Sequence, residues 1–172
     1  MTELVTPPLD DIILPGITRD SVMAIAREHA SNVNPISGLP DKLVVSERPI
    51  TMGEVRQAAK DGTLLEVFGC GAYTCPSTLP AFYFFAAAVV LIRSDVSLFL
   101  SLRSGNISIN AETGTAAIVC PVKRIGYRGD DITIPVGEDG LGPLTKAILN
   151  EISGRQVGII PSDWSVVVVP QS

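Results

Sequence analysis

Apolar residues recur with a helical period near the start of the chain and in strand-like runs further on. In "TRDSVMAIAREHA", Val22, Ile25 and Ala26 fall at i, i+3 and i+4, which predicts a helix with one apolar face. Thr18 is its predicted N-cap, and Asp20 would lie favourably in the positively polarised first turn. The preceding "DIILPG" predicts a short strand that the Pro-Gly pair ends.

The following stretches alternate between strand-like and helical patterns. "KLVVSERPI" predicts a strand, and Thr51 and Glu54 form a capping box that opens a second helix, which Gly62 ends. Further strands are predicted for "LLEVFG", "TAAIVCPVKRIGY", "DDITIP" and the terminal "WSVVVV", and a third helix from about Leu144 to Ser153. The alternation predicts the α/β (α+β) class, with one mixed sheet and flanking helices.

One segment departs from this alternation. After Gly71 come 21 residues without a charge, among them four consecutive aromatic residues at 82–85. Its most apolar part, from Leu79 to Ile92, has 14 residues, whereas a bilayer span needs about 20. We therefore do not expect a membrane anchor. A functional loop is also disfavoured, because so apolar a loop promotes association or aggregation.

Composition and charge exclude several classes of partner. The 172 residues, 46% hydrophobic and 18% charged, suffice for one compact domain. With a net charge of −5 and no basic cluster beyond Lys123 and Arg124, we expect neither nucleic acid nor an anionic membrane as a partner. Cys70, Cys75 and Cys120 have no metal-ligand spacing, so we predict no metal site and buried thiols in a reducing compartment. The acidic, proline-bearing N-terminal stretch is expected to be neither a signal nor a transit peptide.

Two short patterns could carry chemistry. "LPGITRD" places two turn residues before a helix N-terminus, where backbone amides and the helix dipole favour a phosphate. The small residues of "GTAAIV", from Gly114 onwards, would let a ligand approach backbone amides closely. Each pattern alone also fits an ordinary packed turn. His29 is expected to be a surface or partly buried residue without a role, and Cys70 and Cys120 are expected to be core thiols.

Four stretches taken together resemble a known family: "ELVTPPLDDIILPGITRDSVMAIARE", "ERPITMGEVRQAAKDGTLLEVFGCG", "TAAIVCPVKRIGYRGDDITIPVGEDGLGP" and "SDWSVVV". In this order they resemble the C-terminal large domain of branched-chain amino acid aminotransferases, which are class IV (fold type IV) pyridoxal-phosphate enzymes. The resemblance covers residues 1–71 and 115–172, apart from a variable loop near 31–40.

The resemblance implies the mixed fold of that large domain, a homodimer, and a cytoplasmic or mitochondrial location. The implied reaction transfers an amino group between leucine, isoleucine or valine and 2-oxoglutarate, with pyridoxal 5'-phosphate as the electron sink. The alternatives are another class IV enzyme, such as a D-amino acid aminotransferase or aminodeoxychorismate lyase, and a non-catalytic remnant.

Site residues follow from the same resemblance. It implies that the backbone amides of Ile17 and Thr18 hold the cofactor phosphate and that Thr115 adds a further phosphate contact. The amides of Thr115 and Ala116 would face the substrate carboxylate. Both anions would thus be held by the backbone.

The family's Schiff-base lysine and the acidic partner of its pyridine nitrogen lie upstream of the "ELVTPPL" match. The four lysines here, Lys42, Lys60, Lys123 and Lys146, fall outside that motif. We therefore predict no catalytic residue among these 172, and expect the chain as given to be inactive.

The sequence also differs from the family at residues 72–114. These residues separate "FGCG" from "TAA", which are joined in the family. Removing these residues restores "FGCGTAAIVCPV". We predict that they are a translated intron. The codons of Gly71, Ala72 and Tyr73 can contain a GTGCGT donor site, the codons of 112–114 can contain a CAG acceptor that ends within the glycine codon, and excision keeps the reading frame.

Overall fold

The structure is a computed structural model that describes residues 1–9, 15–70, 88–93, 107–110, 118–166 and 168. Three helices and eight strands lie within these ranges. In chain order they are β1 (Thr2–Thr6), α1 (Ile17–Ala30), β2 (Leu43–Glu47), α2 (Met52–Lys60), β3 (Leu64–Cys70), β4 (Ala88–Arg93), β5 (Ile107–Asn110), β6 (Val119–Pro121), β7 (Arg124–Tyr127), β8 (Asp130–Thr133) and α3 (Pro143–Gln156).

A five-stranded sheet has the strand order β2-β1-β4-β3-β6, and a three-stranded sheet has the order β5-β7-β8. β1 and β2 are parallel, and the other neighbours in the larger sheet are antiparallel. The larger sheet is therefore mixed, as predicted, but the prediction of one sheet was wrong, because β5, β7 and β8 form a second, antiparallel sheet. Because β4 is antiparallel to both β1 and β3, the strands β1, β2 and β3 run in the same direction and end at the same edge.

Hydrophobic clusters lie on the two faces of the larger sheet. On one face, Leu4 and Phe68 pack with the apolar sides of α1 and α3. On the other face, Val5 and Val67 pack with α2 and with residues of β7 and β8. Successive residues of a strand point to opposite faces, so the neighbours Leu4 and Val5 face different clusters, and so do Val67 and Phe68.

The ends of α1 and α2 follow local chemistry. At α2 the predicted cap is confirmed, since Thr51 Oγ1 accepts the amide of Glu54 at 3.1 Å. The Glu54 carboxylate binds Arg48 at 2.6 Å. At α1 the predicted N-cap was wrong: Gly16 holds that position in an extended conformation and has no side chain that could cap the helix. Thr18 is the second helical residue, because α1 begins at Ile17, two residues before the start that a cap at Thr18 implies.

The strand predictions differ from the structure at both ends of the chain. β1 was not predicted, and most of "DIILPG" lies outside the described residues. The terminal "WSVVVV" was predicted as a strand, which is wrong for Trp164 to Val166. A run of β-branched residues forms a strand only where a neighbour accepts its backbone hydrogen bonds, and these residues pair with no described strand.

Two of the strands lie within the predicted insert of residues 72–114. β4 is the central strand of the larger sheet, where the backbone of Val90 is opposite Val5 of β1 and Val67 of β3. β5 pairs with β7 in the smaller sheet. The rest of this segment lies outside the described residues. No helix in the described ranges is long and apolar enough to cross a membrane.

Candidate functional site

The N-terminus of α1 lies next to the edge at which β1, β2 and β3 end. By helix geometry, the amides of Ile17, Thr18 and Arg19 have no acceptor within the helix. The amide of Asp20 donates to the carbonyl of Gly16 at 3.1 Å and begins the helical ladder. The N-cap residue Gly16 has no side chain that could bind these first amides, so they are suited to an external anion.

A shallow pocket of about 210 Å³ opens beside this helix end. Ile17 is 85% exposed although it is apolar, whereas Thr18 is half-buried. Asp20 also faces the pocket and is exposed to solvent. The pocket is lined by Leu9, Pro15, Gly16, Ile17, Arg19 and Asp20.

Arg19 lies beneath the first turn of α1 and is only 4% exposed. Its Nη2 donates to the Pro7 carbonyl at 2.9 Å and to the Glu47 carboxylate at 3.0 Å. Its Nε donates to the Thr6 hydroxyl at 3.3 Å. The guanidinium therefore ties the helix start to the ends of both β1 and β2.

Two groups near this edge have shifted pKa values, one because of charged neighbours and one because of burial. Hydrogen bonds from Arg27 and then from Arg19 lower the pKa of Glu47. Burial raises the pKa of the Cys70 thiol to about 12, and the positive charge of Arg19 opposes that rise. Because Cys70 is the last residue of β3, Arg19 acts electrostatically on the end of this third strand as well.

The amide donors at α1 fit a phosphate. A phosphate group presents several oxygen acceptors and negative charge, which match backbone N–H groups at a positively polarised helix end. The positive charge of Arg19 lies close by, partly balanced by Glu47. The resemblance implies a phosphate contact at Ile17 and Thr18. Both residues have a backbone amide without an acceptor inside the helix, which such a contact requires.

The other half of the predicted site is the "GTAA" stretch that precedes β6 in the sequence. Thr115 and Ala116 lie outside the described residues, so their phosphate and carboxylate contacts stay predictions. The chain enters β6 at Val119, whose backbone is opposite Cys70 at the end of β3. The described chain thus resumes at the edge where β1, β2 and β3 end.

None of the four lysines is among the described residues that line the pocket. Lys42 and Lys60 are exposed, and Lys146 binds Asp139 at 2.6 Å. The Lys123 side chain lies beside Gly140, in the loop before α3. Within the described ranges, no group of three or more His, Cys, Asp or Glu side chains could hold a metal ion.

Sequence reasoning missed the buried charged residues of the described ranges, among them Arg19 and Glu66. Both are detectable as charges on otherwise apolar surfaces: Arg19 falls three residues before Val22 on the inner stripe of α1, and Glu66 interrupts an apolar strand. Charged residues are almost never fully buried unless they are paired. Such positions therefore indicate a specific partner, which the sequence alone does not name.

His29 was expected to be a bystander, and instead it is buried with both ring nitrogens engaged. Its Nδ1 accepts the amide of Ile36 at 3.0 Å, and its Nε2 lies 3.1 Å from the Pro40 carbonyl. Since Nδ1 accepts, Nε2 must carry the proton and donate. His29 therefore holds the loop between α1 and β2.

Comparison with curated proteins adds evidence independent of this geometry. The chain is 35% identical over 169 residues to the cytosolic branched-chain-amino-acid aminotransferase of Saccharomyces cerevisiae, covering 96% of the chain and 31% of the relative. It is 34% identical over 170 residues to the mitochondrial enzyme of Schizosaccharomyces pombe, covering 98% and 28%. The mouse cytosolic enzyme is 29% identical over 164 residues, covering 95% and 28%.

The chain spans less than a third of the length of these curated relatives. Neither a protein-family model nor a solved structure matches it.

Proposed function

We propose, for a chain that belongs to the branched-chain amino acid aminotransferase family, that its α1 N-terminus forms the phosphate-binding side of a pyridoxal 5'-phosphate site. The reaction would be amino transfer between leucine, isoleucine or valine and 2-oxoglutarate. One observation carries this proposal: the start of α1, whose N-cap residue is a glycine, lies at the edge where three strands end, and its amides suit a phosphate.

The residues of this chain would bind and orient. The amides of Ile17 and Thr18 would donate to the cofactor phosphate, Thr115 would add a contact, and Thr115 and Ala116 would hold the substrate carboxylate. When bound, the cofactor supplies the electron sink that amino transfer requires. The resemblance implies that the cofactor's lysine lies upstream of the "ELVTPPL" match in the family, so we assign neither that lysine nor its side of the site to these residues.

Partners and location follow the family. The proposed substrates are a branched-chain amino acid and a 2-oxo acid, and the proposed assembly is a homodimer. The relatives include enzymes named cytosolic and mitochondrial, which supports one of these two compartments.

Residues 72–114 are proposed to be a translated intron that interrupts the "FGCGTAA" junction. Sequencing of the mature transcript across codons 60–125 tests this directly. A message that joins the Gly71 codon to that of Thr115 is the expected result, and a message that retains the segment would overturn the proposal.

A backbone substitution tests the phosphate site. Ile17→Pro removes one amide donor, yet proline is well tolerated at the first position of a helix, and Gly16 already has the extended conformation that proline requires before it. We expect Ile17→Pro to weaken pyridoxal 5'-phosphate binding about tenfold, a typical loss for a hydrogen bond to a charged group. Ile17→Ala, which keeps the amide, is the matched control and should bind as the unchanged chain does.

Equal binding by both variants would remove Ile17 from the phosphate site. The activity itself is tested on the polypeptide encoded by the sequenced message, with leucine and 2-oxoglutarate as substrates. Transfer from D-alanine instead of leucine would assign the chain to a different class IV enzyme.

A further inference from the structure

We propose that Arg19 is a positioning residue, which fixes the first turn of α1 so that the amides of Ile17 and Thr18 face the cofactor phosphate. This inference rests on the proposed function. It adds a residue whose side chain makes no contact with the phosphate itself and acts through the backbone that does.

The contacts of Arg19 join two strand ends to the helix start. Thr6 and Glu47 are opposite each other in the register of β1 and β2, and one guanidinium binds both. A third bond reaches the Pro7 carbonyl, just beyond β1. The planar fork of arginine can bind several acceptors in fixed directions, which a lysine ammonium on a flexible stem cannot reproduce.

The position of Arg19 is unfavourable for the helix alone. Cations destabilise the positively polarised first turn, and burial adds a desolvation cost that pairing must offset. Glu47 supplies the pairing at 3.0 Å, with its own side chain 35% exposed. A negatively charged ligand at the helix start would interact favourably both with the amides and with this cation, which gives a reason for placing a buried arginine there.

Arg27 provides a matched control. It binds the same Glu47 carboxylate, but from two turns further along α1 and with a side chain that is 51% exposed. Removing Arg27 therefore removes a charge next to Glu47 without releasing the first turn. A difference between the two arginines would reflect the position of Arg19, and would not reflect loss of a Glu47 partner in general.

The test compares Arg19→Met, Arg19→Lys and Arg27→Met in the full 172-residue chain. Amide hydrogen exchange without any ligand is measured for peptides that cover residues 15–21 and for peptides from α3. We expect Arg19→Met to speed exchange of the Asp20 and Ser21 amides, the first in α1 that the helical ladder protects, about tenfold or more, the range expected when a hydrogen-bonded charged contact is lost. The exchange rate in Arg19→Lys should lie between those of Arg19→Met and the unchanged chain. Arg27→Met should exchange as the unchanged chain does.

The second readout is the preference for pyridoxal 5'-phosphate over pyridoxal, which lacks the phosphate. Arg19→Met should reduce this preference, because only the phosphorylated ligand depends on the positioned amides. Equal weakening of both ligands, or first-turn exchange equal to that of Arg27→Met, would overturn the positioning role.

These measurements distinguish failure of the proposed phosphate site from failure of the positioning role of Arg19. If the unchanged chain shows no preference for the phosphorylated ligand, the proposed phosphate site is wrong, while the exchange data still decide whether Arg19 holds the first turn. If Arg19→Met accelerates exchange in α3 as well, that variant has unfolded globally, and Arg19→Lys then decides the question.

Discussion

A β-carbon on residue 142 would overlap the carboxyl group of Glu66, so only glycine fits at this point. The carboxylate lies there because it accepts the amides of Leu144 and Thr145, each at 2.9 Å, and the Thr145 hydroxyl at 2.6 Å. Gly142, the N-cap residue of α3, has no side chain to do this. A buried residue of β3 thus caps α3 from outside the helix.

Gly142→Ala should therefore destabilise the protein strongly. The added methyl group forces Glu66 out of its capping position, and overpacking of this kind costs about 1–3 kcal/mol or more. Urea unfolding measures the loss. In the double variant with Glu66→Ala the methyl group meets no carboxylate, so the two effects should be clearly less than additive. Simple additivity would show that the residues do not interact.

The Thr145 hydroxyl gives a second prediction at the same cap. Thr145→Val keeps the shape of a buried side chain but removes the donor to Glu66, and a hydrogen bond to a charged group contributes about 1.5–3 kcal/mol. The loss appears as a lower free energy of unfolding in urea. Thr133→Val, an exposed position in β8, is the control and should change little. Equal stability of the two variants would contradict the capping role.

The sequence predicted all three helices, because amphipathic spacing, the Thr51 cap and Gly62 are local signals. It missed β1, since "TELVT" is a run of only five residues cut off by two prolines. Pairing partners of short strands come from distant parts of the chain. A local pattern therefore cannot separate a β-branched run that pairs, such as β1, from the tail at Trp164 that does not.

The candidate site was predictable to a similar extent. The turn before α1 indicated an anion site because a helix start is a local feature, and the assignment of Ile17 and Thr18 to it, which the resemblance implies, stays a prediction. Arg19 was not identified, since its acceptors Thr6 and Glu47 are 13 and 28 residues away in sequence. The contact of Glu66 with Thr145 spans 79 residues. Such long-range polar contacts depend on the fold and carry no sequence pattern of their own.

Two ion pairs, one of Glu3 in β1 with Arg48 and one between α1 and α3, predict an acid limb of stability. Hydrogen bonds from Arg48 hold the pKa of Glu3 below its ordinary value of 4.5, and Arg155 does the same for Glu28. A carboxyl whose pKa is lowered on folding stabilises the protein fully above its unfolded pKa, and this contribution is lost as the pH falls through the folded pKa. The free energy of unfolding should therefore decline as the pH falls below about 5.

Glu3→Gln isolates one of these contributions. The glutamine cannot titrate, so urea unfolding at pH steps between 3 and 7 should show a shallower decline than in the unchanged chain. Arg48→Met should have a similar effect on the slope, because it removes the main cause of the lowered pKa. An unaltered slope in both variants would show that this pair does not contribute to the acid limb.

Cys70 is predicted to be unreactive in the folded protein. Burial raises the pKa of its thiol to about 12, and the side chain is 1% exposed. Since the thiolate is the reactive species, iodoacetamide at pH 8 should leave Cys70 unmodified in the native chain and modify it in urea. Peptide mass mapping distinguishes the two. The raised pKa also stabilises the fold below about pH 9, and this contribution is lost as the pH rises from 9 towards 12.

The last prediction concerns the place of residues 72–114 in the sheet. β4, within this segment, lies between β1 and β3, so deleting the segment removes the strand that both of them pair with. β1 and β3 run in the same direction, and in the shortened chain they can become parallel neighbours in the order β2-β1-β3-β6. If the segment is a translated intron, the chain that joins Gly71 to Thr115 should unfold cooperatively and bind pyridoxal 5'-phosphate more tightly than the full chain.

Thermal unfolding and ligand titration of the deleted chain measure both effects. Val90→Pro in the full chain is the companion variant, because proline removes a backbone donor from the middle of β4 and should destabilise a centrally paired strand by about 3 kcal/mol. The opposite outcome is that the deleted chain loses cooperative unfolding, the full chain unfolds cooperatively, and Val90→Pro destabilises the full chain. The fold then requires β4, and residues 72–114 belong to the protein.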